Sequence, residues 1–101
     1  MKIYVSGKVS GLERNVVQQK FVYSCDMLRD LGCKVVNPLE ISEFDEAKTW
    51  EAYMADDLAE LLTCDAIYMQ ADWGQSRGAR VEYAVARELG LEVFYEGEFN
   101  W

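Results

Sequence analysis

The sequence predicts an α/β protein with three layers, a doubly wound parallel sheet of four to five strands (flavodoxin-like or Rossmann-like) in the order 2-1-3-4. Short runs of β-branched and aromatic residues alternate with longer segments whose apolar residues recur at helical spacing. Such alternation gives parallel sheets with short right-handed crossovers. The chain has 101 residues and is 50% hydrophobic, so residues 1–101 are expected to form one domain with one core.

Four segments are predicted as strands. The first, residues 2–6, ends at Gly7, and the second, residues 34–36, stops where Asn37 precedes a proline that cannot donate to a ladder. The third covers residues 66–71 and the fourth covers residues 91–95. The first strand is expected in the centre of the sheet.

Three helices connect these strands. The first spans residues 15–31, with Asn15 as N-cap and Gly32 as its stop; the second begins at Thr49 and runs to about residue 63; the third covers residues 78–89 after Ser76. Each helix is expected to bury one face. The residues on these faces are Val17, Phe21, Cys25 or Ser24, Leu28 and Leu31 in the first helix; Trp50, Met54, Leu58, Leu61 and Leu62 in the second; and Val81, Ala84, Val85 and Leu89 in the third.

Charge and composition exclude several classes of function. There are 10 basic and 18 acidic residues, a net charge of −8, so no basic stripe is available for a nucleic-acid polymer. A small anionic ligand remains possible where a few donors act locally. No apolar run is long enough to cross a membrane and no secretory leader is evident, which predicts a cytoplasmic protein with no membrane partner.

The cysteine and histidine counts narrow the chemistry. Three cysteines without C-x-x-C spacing are expected to be reduced thiols, and the absence of histidine removes a Ser-His-Asp triad and the commonest metal ligand. We therefore expect no metal and no cofactor. Carboxylates must carry any acid–base or nucleophilic work.

Two polar loops follow the first and third strands, which flank the expected switch point of the sheet. Gly7, Lys8 and Ser10 lie in the first loop, and Ser76 and Gly78 lie in the second. Parallel sheets bind ligands where such loops meet. The first loop has the composition of a phosphate or sugar cradle, although a plain connecting loop is as good an interpretation.

Two acids are expected to face this crevice. Glu82 falls in the first turns of the third helix, where the positive helix end keeps a carboxylate ionised, and Asp57 lies on the second helix, where partial burial raises its pKa. Paired carboxylates suit the cleavage of a glycosidic bond. The alternatives are a helix-dipole partner for Glu82 and a solvated acid for Asp57.

Two further segments lack a regular pattern. Residues 40–48 are acidic and form a predicted loop that either covers the pocket or is plain surface. The tail contains Phe99 and Trp101, whose burial in a dimer contact would explain them.

Several motifs resemble the nucleoside 2-deoxyribosyltransferase-like superfamily over nearly the whole chain, and most closely a small uncharacterised branch found in bacteria and phages. They are an Ile-Tyr-Val-Ser-Gly strand at residues 3–7, a D-L-x6-D pattern from Asp57, and W-x-x-S-R-G-A-x-x-E at residues 73–82, with Trp50 and Met54 ahead of the aspartate. The resemblance implies a homodimer or higher homo-oligomer.

The resemblance also implies residue roles. Glu82 would be the nucleophile, Asp57 the assisting carboxylate and base, and Tyr4 a site hydroxyl. Ser76 stands where relatives that hydrolyse deoxynucleoside 5′-monophosphates carry serine, so Ser76, Arg77 and the helix amides, or Lys8, would hold a 5′-phosphate.

The sequence leaves two interpretations open for each of two residues near the expected site. Trp73 either stacks on a base or packs in its loop. Arg80 replaces the family's glycine two residues before the nucleophile, and can fill the pocket or pair with Glu82.

The leading hypothesis is an N-glycosidase of (deoxy)nucleoside 5′-monophosphates. The alternatives are a nucleoside deoxyribosyltransferase, which differs in the fate of the glycosyl intermediate, and a non-catalytic nucleotide-binding or interaction module in which Arg80 neutralises Glu82.

Overall fold

A computed structural model describes residues 1–98 of the chain. Its strands are β1 (Lys2–Ser6), β2 (Lys34–Val36), β3 (Ala66–Met69) and β4 (Glu92–Tyr95). All pairings are parallel and the order is β2-β1-β3-β4, which confirms the predicted topology. The central strands β1 and β3 are buried along almost their whole length, because helices cover both faces of the sheet.

Three helices build the outer layers: α1 (Arg14–Asp30), α2 (Trp50–Leu61) and α3 (Arg77–Glu88). Single 3₁₀ turns at Pro38–Glu40 and Trp73–Gln75 lie between them and the strands. One face of the sheet packs Ile3 and Val5 of β1 against α1, while the other face packs Tyr4 of β1 against α2 and α3. None of the helices within residues 1–98 is long and apolar enough to cross a bilayer.

The helix boundaries agree with the predictions except at the start of α1. Thr49 caps α2 by accepting a hydrogen bond from the Ala52 amide at 3.1 Å. The prediction that Asn15 caps α1 is wrong, because Glu13 occupies that position and Asn15 lies inside the helix. Gly32, with φ of 89°, ends α1 as predicted, since this left-handed conformation favours glycine.

The buried faces were predicted well for α1 and poorly for α3. The α1 residues buried in the structure are Val17, Phe21, Ser24, Cys25 and Leu28. In α3 the buried residues are Ala79, Glu82 and Ala86. Of the residues predicted on this face, Val81 and Val85 are half-buried, with Val85 packed against the core, while Ala84 and Leu89 are exposed. Leu31, Leu62 and Leu89, the residues that follow the last turns of the three helices, are exposed. The small side chains of Ala79 and Ala86 allow α3 to pack closely on the sheet, and Glu82 lies on the same buried face.

The remaining sequence predictions concern thiols and the tail. Cys25, Cys33 and Cys64 are free thiols, two of them buried. Phe99 and Trp101 lie outside the described residues, so the dimer contact that they suggested stays a prediction.

Candidate active site

A cleft of about 810 Å³ opens at the carboxyl ends of β1 and β3. The loop after β1, the first turn of α3 and one flank of α2 form its walls. Every site residue predicted from the sequence except Trp73 lines this cleft. The two polar loops therefore meet at the switch point, as the topology predicted.

Glu82 forms the floor of the cleft and is only 5% exposed. The Tyr4 hydroxyl donates to its Oε2 at 2.5 Å, and the Ser6 hydroxyl donates to its Oε1 at 2.7 Å. Each carboxylate oxygen thus accepts one hydrogen bond from β1, which fixes the orientation of the side chain. Burial, followed by the charge of Glu82, raises the pKa of Tyr4 well above its usual value, so its hydroxyl stays protonated and donates.

Ser6 is a site residue that the sequence argument missed. It was assigned only to the first strand, yet it is fully buried and holds Glu82 directly. The sequence could have indicated this role, because Ser6 follows Tyr4 by two residues and alternate residues of a strand share one face. Tyr4 and Ser6 therefore both point toward α3.

The protonation of Glu82 differs from the prediction. Its place near the amino end of α3 predicted an ionised side chain, but burial raises the pKa of Glu82 to about 7. The hydrogen bonds from Tyr4 and Ser6 oppose this rise, and the charge of Asp57 adds to it. Near neutral pH the carboxyl is therefore divided between its two protonation states.

Asp57 lines the same cleft from α2. Burial, and next the charge of Asp56, raise its pKa to about 6, while Lys48 lowers it. This agrees with the raised pKa predicted for Asp57. Because the two carboxyls interact and titrate close together, between about pH 6 and 7 they share roughly one proton.

The loop after β1 is tied to the loop after β3. The Lys8 amide donates to Asp72 Oδ1 at 3.0 Å, and Lys20 bridges the two loops by donating to the Lys8 carbonyl at 2.6 Å while pairing with Asp72 at 3.0 Å. The backbone of this wall of the cleft is consequently held in place. The Lys8 side chain has no carboxylate partner among residues 1–98, and Ser10 lies nearby in the same wall.

Gly7 leaves room for a buried glutamine. A Cβ at this position would stand 1.9 Å from Gln70 Oε1. The Gln70 side chain is itself anchored, since its Nε2 donates to the Lys20 carbonyl and to Ser24 Oγ, each at 3.0 Å. A larger residue at position 7 would have to displace this buried amide, so the loop needs glycine for packing.

The first turn of α3 forms the opposite wall. Ser76 caps the helix by accepting from the Ala79 amide at 3.1 Å, and its own O–H has no acceptor among residues 1–98. The guanidinium of Arg77 stacks over Trp50, 4.0 Å from the ring centroid. A Cβ on Gly78 would approach Met54 Sδ at 3.2 Å, so a side chain here would push into α2.

Trp73 and Arg80 lie away from the cleft. The Trp73 ring stacks on Tyr83 at a centroid distance of 4.6 Å, which fits the packed alternative and not the stacking of a base. Arg80 donates to the Gly74 carbonyl at 2.9 Å and is exposed. Residues two apart on a helix point in nearly opposite directions, so Arg80 neither fills the pocket nor pairs with Glu82.

The comparisons with known proteins agree with this fold. A family model described as Domain of unknown function (DUF4406) matches residues 1–95. A solved structure similar to this chain is the 2-deoxyribosyltransferase of the psychrotolerant bacterium Bacillus psychrosaccharolyticus, described as a suitable biocatalyst for the industrial synthesis of antiviral and antitumoral nucleosides. The TM-score is 0.72 at 22% sequence identity, with 100% of this chain and 77% of that chain covered. No curated protein matches the chain. The fold that the predicted resemblance implied is thereby confirmed, and the family model indicates a family of unknown function.

Proposed function

We propose that this chain, which belongs to the family Domain of unknown function (DUF4406), is an N-glycosidase that hydrolyses the base–sugar bond of (deoxy)nucleoside 5′-monophosphates. One observation carries the proposal. A buried glutamate, oriented by two hydroxyl donors, shares a cleft with a second carboxyl whose pKa is also raised. Cleavage of a glycosidic bond uses two carboxyl groups that hold one proton: the ionised one attacks the sugar and the protonated one assists the leaving group.

In the first step Glu82 attacks C1′ of the sugar. The reacting form is the less populated one of the pair, with Glu82 ionised and the proton on Asp57, because the pKa of Glu82 (about 7) is higher than that of Asp57 (about 6). The C1′–N bond to the base breaks as the bond from C1′ to the Glu82 oxygen forms, and the proton on Asp57 passes to the departing base. Tyr4 and Ser6 hold the attacking carboxylate in one orientation, which lowers the entropy cost of reaching the reactive geometry.

In the second step water resolves the glycosyl-enzyme. Asp57, now ionised, accepts a proton from water as the water oxygen attacks C1′ and the ester to Glu82 breaks. The products are a free base and a sugar 5-phosphate, and the cleft recovers its single proton. A second base in place of water would give transfer instead of hydrolysis.

The charge distribution favours a phosphate-bearing substrate. The chain carries a net charge of −8, yet Lys8 and Arg77 line the cleft without a carboxylate partner among residues 1–98. The free Ser76 hydroxyl and the first-turn amides of α3 add hydrogen-bond donors at a positive helix end. These groups suit the two negative charges of a 5′-phosphate.

The direct test is chromatographic detection of free base. The wild-type protein would be incubated with ribo- and deoxynucleoside 5′-monophosphates, with the corresponding nucleosides, and with each substrate plus a second free base. We expect release from at least one monophosphate and slower release from its nucleoside, because the nucleoside lacks the phosphate. A new nucleotide in the two-base mixtures would identify a transferase. Binding without release from any substrate would favour the non-catalytic module.

Arg77 should govern the preference for a phosphate. We expect Arg77→Gln to weaken binding of a nucleoside 5′-monophosphate by about tenfold or more, since a hydrogen bond between charged groups is worth roughly 1.5–3 kcal/mol. Binding of the uncharged nucleoside should change little. Isothermal titration calorimetry with both ligands measures the difference.

Arg80→Gln is the matched control for this prediction. Arg80 lies on the same helix but outside the cleft, with its guanidinium on the Gly74 carbonyl. It should leave both affinities unchanged. Equal losses for monophosphate and nucleoside in Arg77→Gln would show that Arg77 supports the cleft through Trp50 and does not bind phosphate.

A further inference from the structure

Five aromatic side chains line the cleft within residues 1–98, and they differ in how much of each ring is available. Tyr4 and Phe21 are fully buried in the core. Trp50 and Tyr53 are half-buried, and each also lies beneath a cation: Trp50 beneath the Arg77 guanidinium, and Tyr53 beneath the Lys48 ammonium at 4.6 Å. The fifth, Phe44, is 62% exposed at the mouth of the cleft.

Phe44 offers a flat apolar surface to a ligand. The Arg14 guanidinium stands over its ring, 4.7 Å from the centroid, and most of the side chain remains in contact with solvent. Keeping an aromatic ring in water forgoes the free energy of burying it, about 1.5–3 kcal/mol for a whole side chain. A planar ligand that covered the ring would recover part of that free energy.

The segment that carries Phe44 is held in position. The neighbouring residue, Asp45, is bonded twice to the Tyr53 hydroxyl, which accepts from the Asp45 amide at 2.7 Å and donates to the Asp45 carbonyl at 3.0 Å. Lys48 pairs with Asp56 of α2 and so fastens the far end of the segment. Phe44 is therefore displayed by an anchored loop, which reduces the entropy cost of binding.

The anchor also sets the side of the cleft on which Phe44 lies. Tyr53 and Asp57 are four residues apart on α2 and share one flank of that helix. Phe44, adjacent to the residue that Tyr53 holds, thus lies on the side of Asp57, while Ser76 and Arg77 lie at the first turn of α3. A nucleotide with its phosphate at α3 and its sugar over Glu82 would extend its base toward Phe44.

We propose that Phe44 is the stacking platform for the nucleobase, with Arg14 backing its ring. This deepens the proposed function and rests on it for the identity of the ligand as a nucleotide. The sequence suggested Trp73 as one candidate for stacking on a base. Because Trp73 packs against Tyr83, we assign that role to Phe44. Stacking on an aromatic face is tolerant of base identity, because every base presents a π-face.

The test compares a nucleotide with its base-free counterpart. All variants carry Glu82→Gln to stop turnover, and calorimetry measures the affinity for dAMP and for 2-deoxyribose 5-phosphate. Phe44→Leu should weaken dAMP binding by about tenfold or more and leave 2-deoxyribose 5-phosphate binding unchanged, because only the base stacks. Phe44→Trp should restore the affinity for dAMP. Tyr23→Leu, which removes an aromatic side chain 74% exposed outside the cleft, should affect neither ligand.

Several results would contradict the proposed role of Phe44. Unchanged dAMP affinity in Phe44→Leu, equal losses for both ligands, or a Phe44→Trp variant as weak as Phe44→Leu would overturn the stacking role. Failure of dAMP to bind at all would overturn it as well. Phe44-dependent binding of dAMP, together with no base release by the wild-type protein from any monophosphate of the panel, would retain the platform and reject the glycosidase.

Discussion

Glu82→Gln is expected to reduce base release by on the order of a thousandfold or more, because an amide cannot form the bond to C1′ that the first step requires. Glutamine has nearly the shape of glutamate and can still accept from the Tyr4 hydroxyl. The Ser6 hydroxyl can rotate to accept from the new amide. The cleft should therefore keep its form and its affinity for nucleotide, and the loss should appear in kcat.

Glu88→Gln is the matched control for this measurement. Glu88 ends α3 and is exposed outside the cleft, so the same chemical change there should leave base release intact. Release that persists at the wild-type rate in Glu82→Gln would remove Glu82 from the mechanism. A loss of kcat accompanied by unchanged dAMP affinity would separate catalysis from binding.

The same Glu82→Gln variant is expected to be more stable than the wild type at alkaline pH. The pKa of Glu82 rises from 4.5 to about 7 on folding, chiefly through burial. Each pKa unit corresponds to about 1.4 kcal/mol, so the ionised side chain lowers the free energy of unfolding by roughly 3 kcal/mol. Glutamine carries no charge and avoids this loss.

The sign follows from proton binding. Between about pH 4.5 and 7 the folded state binds more protons at Glu82 than the unfolded state does, so stability falls as pH rises through this window. The penalty is absent below the window and complete above it. We expect Glu82→Gln to match the wild type near pH 4, below this window, and to exceed it by roughly 3 kcal/mol near pH 8.

Urea unfolding of both proteins at the two pH values measures this difference. Glu88→Gln serves again as the control, because an exposed carboxyl should show little change. A variant that is equally destabilised at both pH values would mean that the amide disrupts the bonds to Tyr4 and Ser6. Such a result would favour a non-catalytic module in which Glu82 only supports the structure.

The two expected effects have one physical cause. Glu82 is buried where folding alone would favour a neutral residue, and it receives hydroxyl donors that only partly offset the loss of hydration. The same burial removes water that would solvate the carboxylate and slow its attack. A buried carboxyl that lowers the stability of the fold and lies at the floor of a cleft is therefore a candidate catalytic residue.

Much of the fold followed from local chemistry. The run of β-branched and aromatic residues in β1 and the Asn37-Pro38 stop after β2 marked the strands. Thr49 and Ser76 marked the helix starts through their side-chain caps. Because these signals act within a few residues, they survive without knowledge of the tertiary structure.

The site was predictable to the extent that topology places it. Strand order brings the loops after β1 and β3 together, so Gly7, Ser76 and Glu82 were expected in one crevice. Topology does not determine which face of each element is buried. The aliphatic spacing in α3 indicated a different buried face from the one that Ala79, Glu82 and Ala86 form, because close packing on the sheet favours small side chains.

The sequence by itself determined the order of the elements, the caps that begin α2 and α3, and the crevice in which polar residues collect, since each depends on backbone preference or on the pattern of apolar residues. Only the tertiary structure decided that Ser6 holds Glu82, that Trp73 packs on Tyr83, and that Phe44 stands exposed at the cleft mouth. It also decided the protonation of Glu82, where burial outweighed the position in the helix. These outcomes depend on contacts between residues far apart in the chain and on the water that those contacts exclude, neither of which a local pattern records.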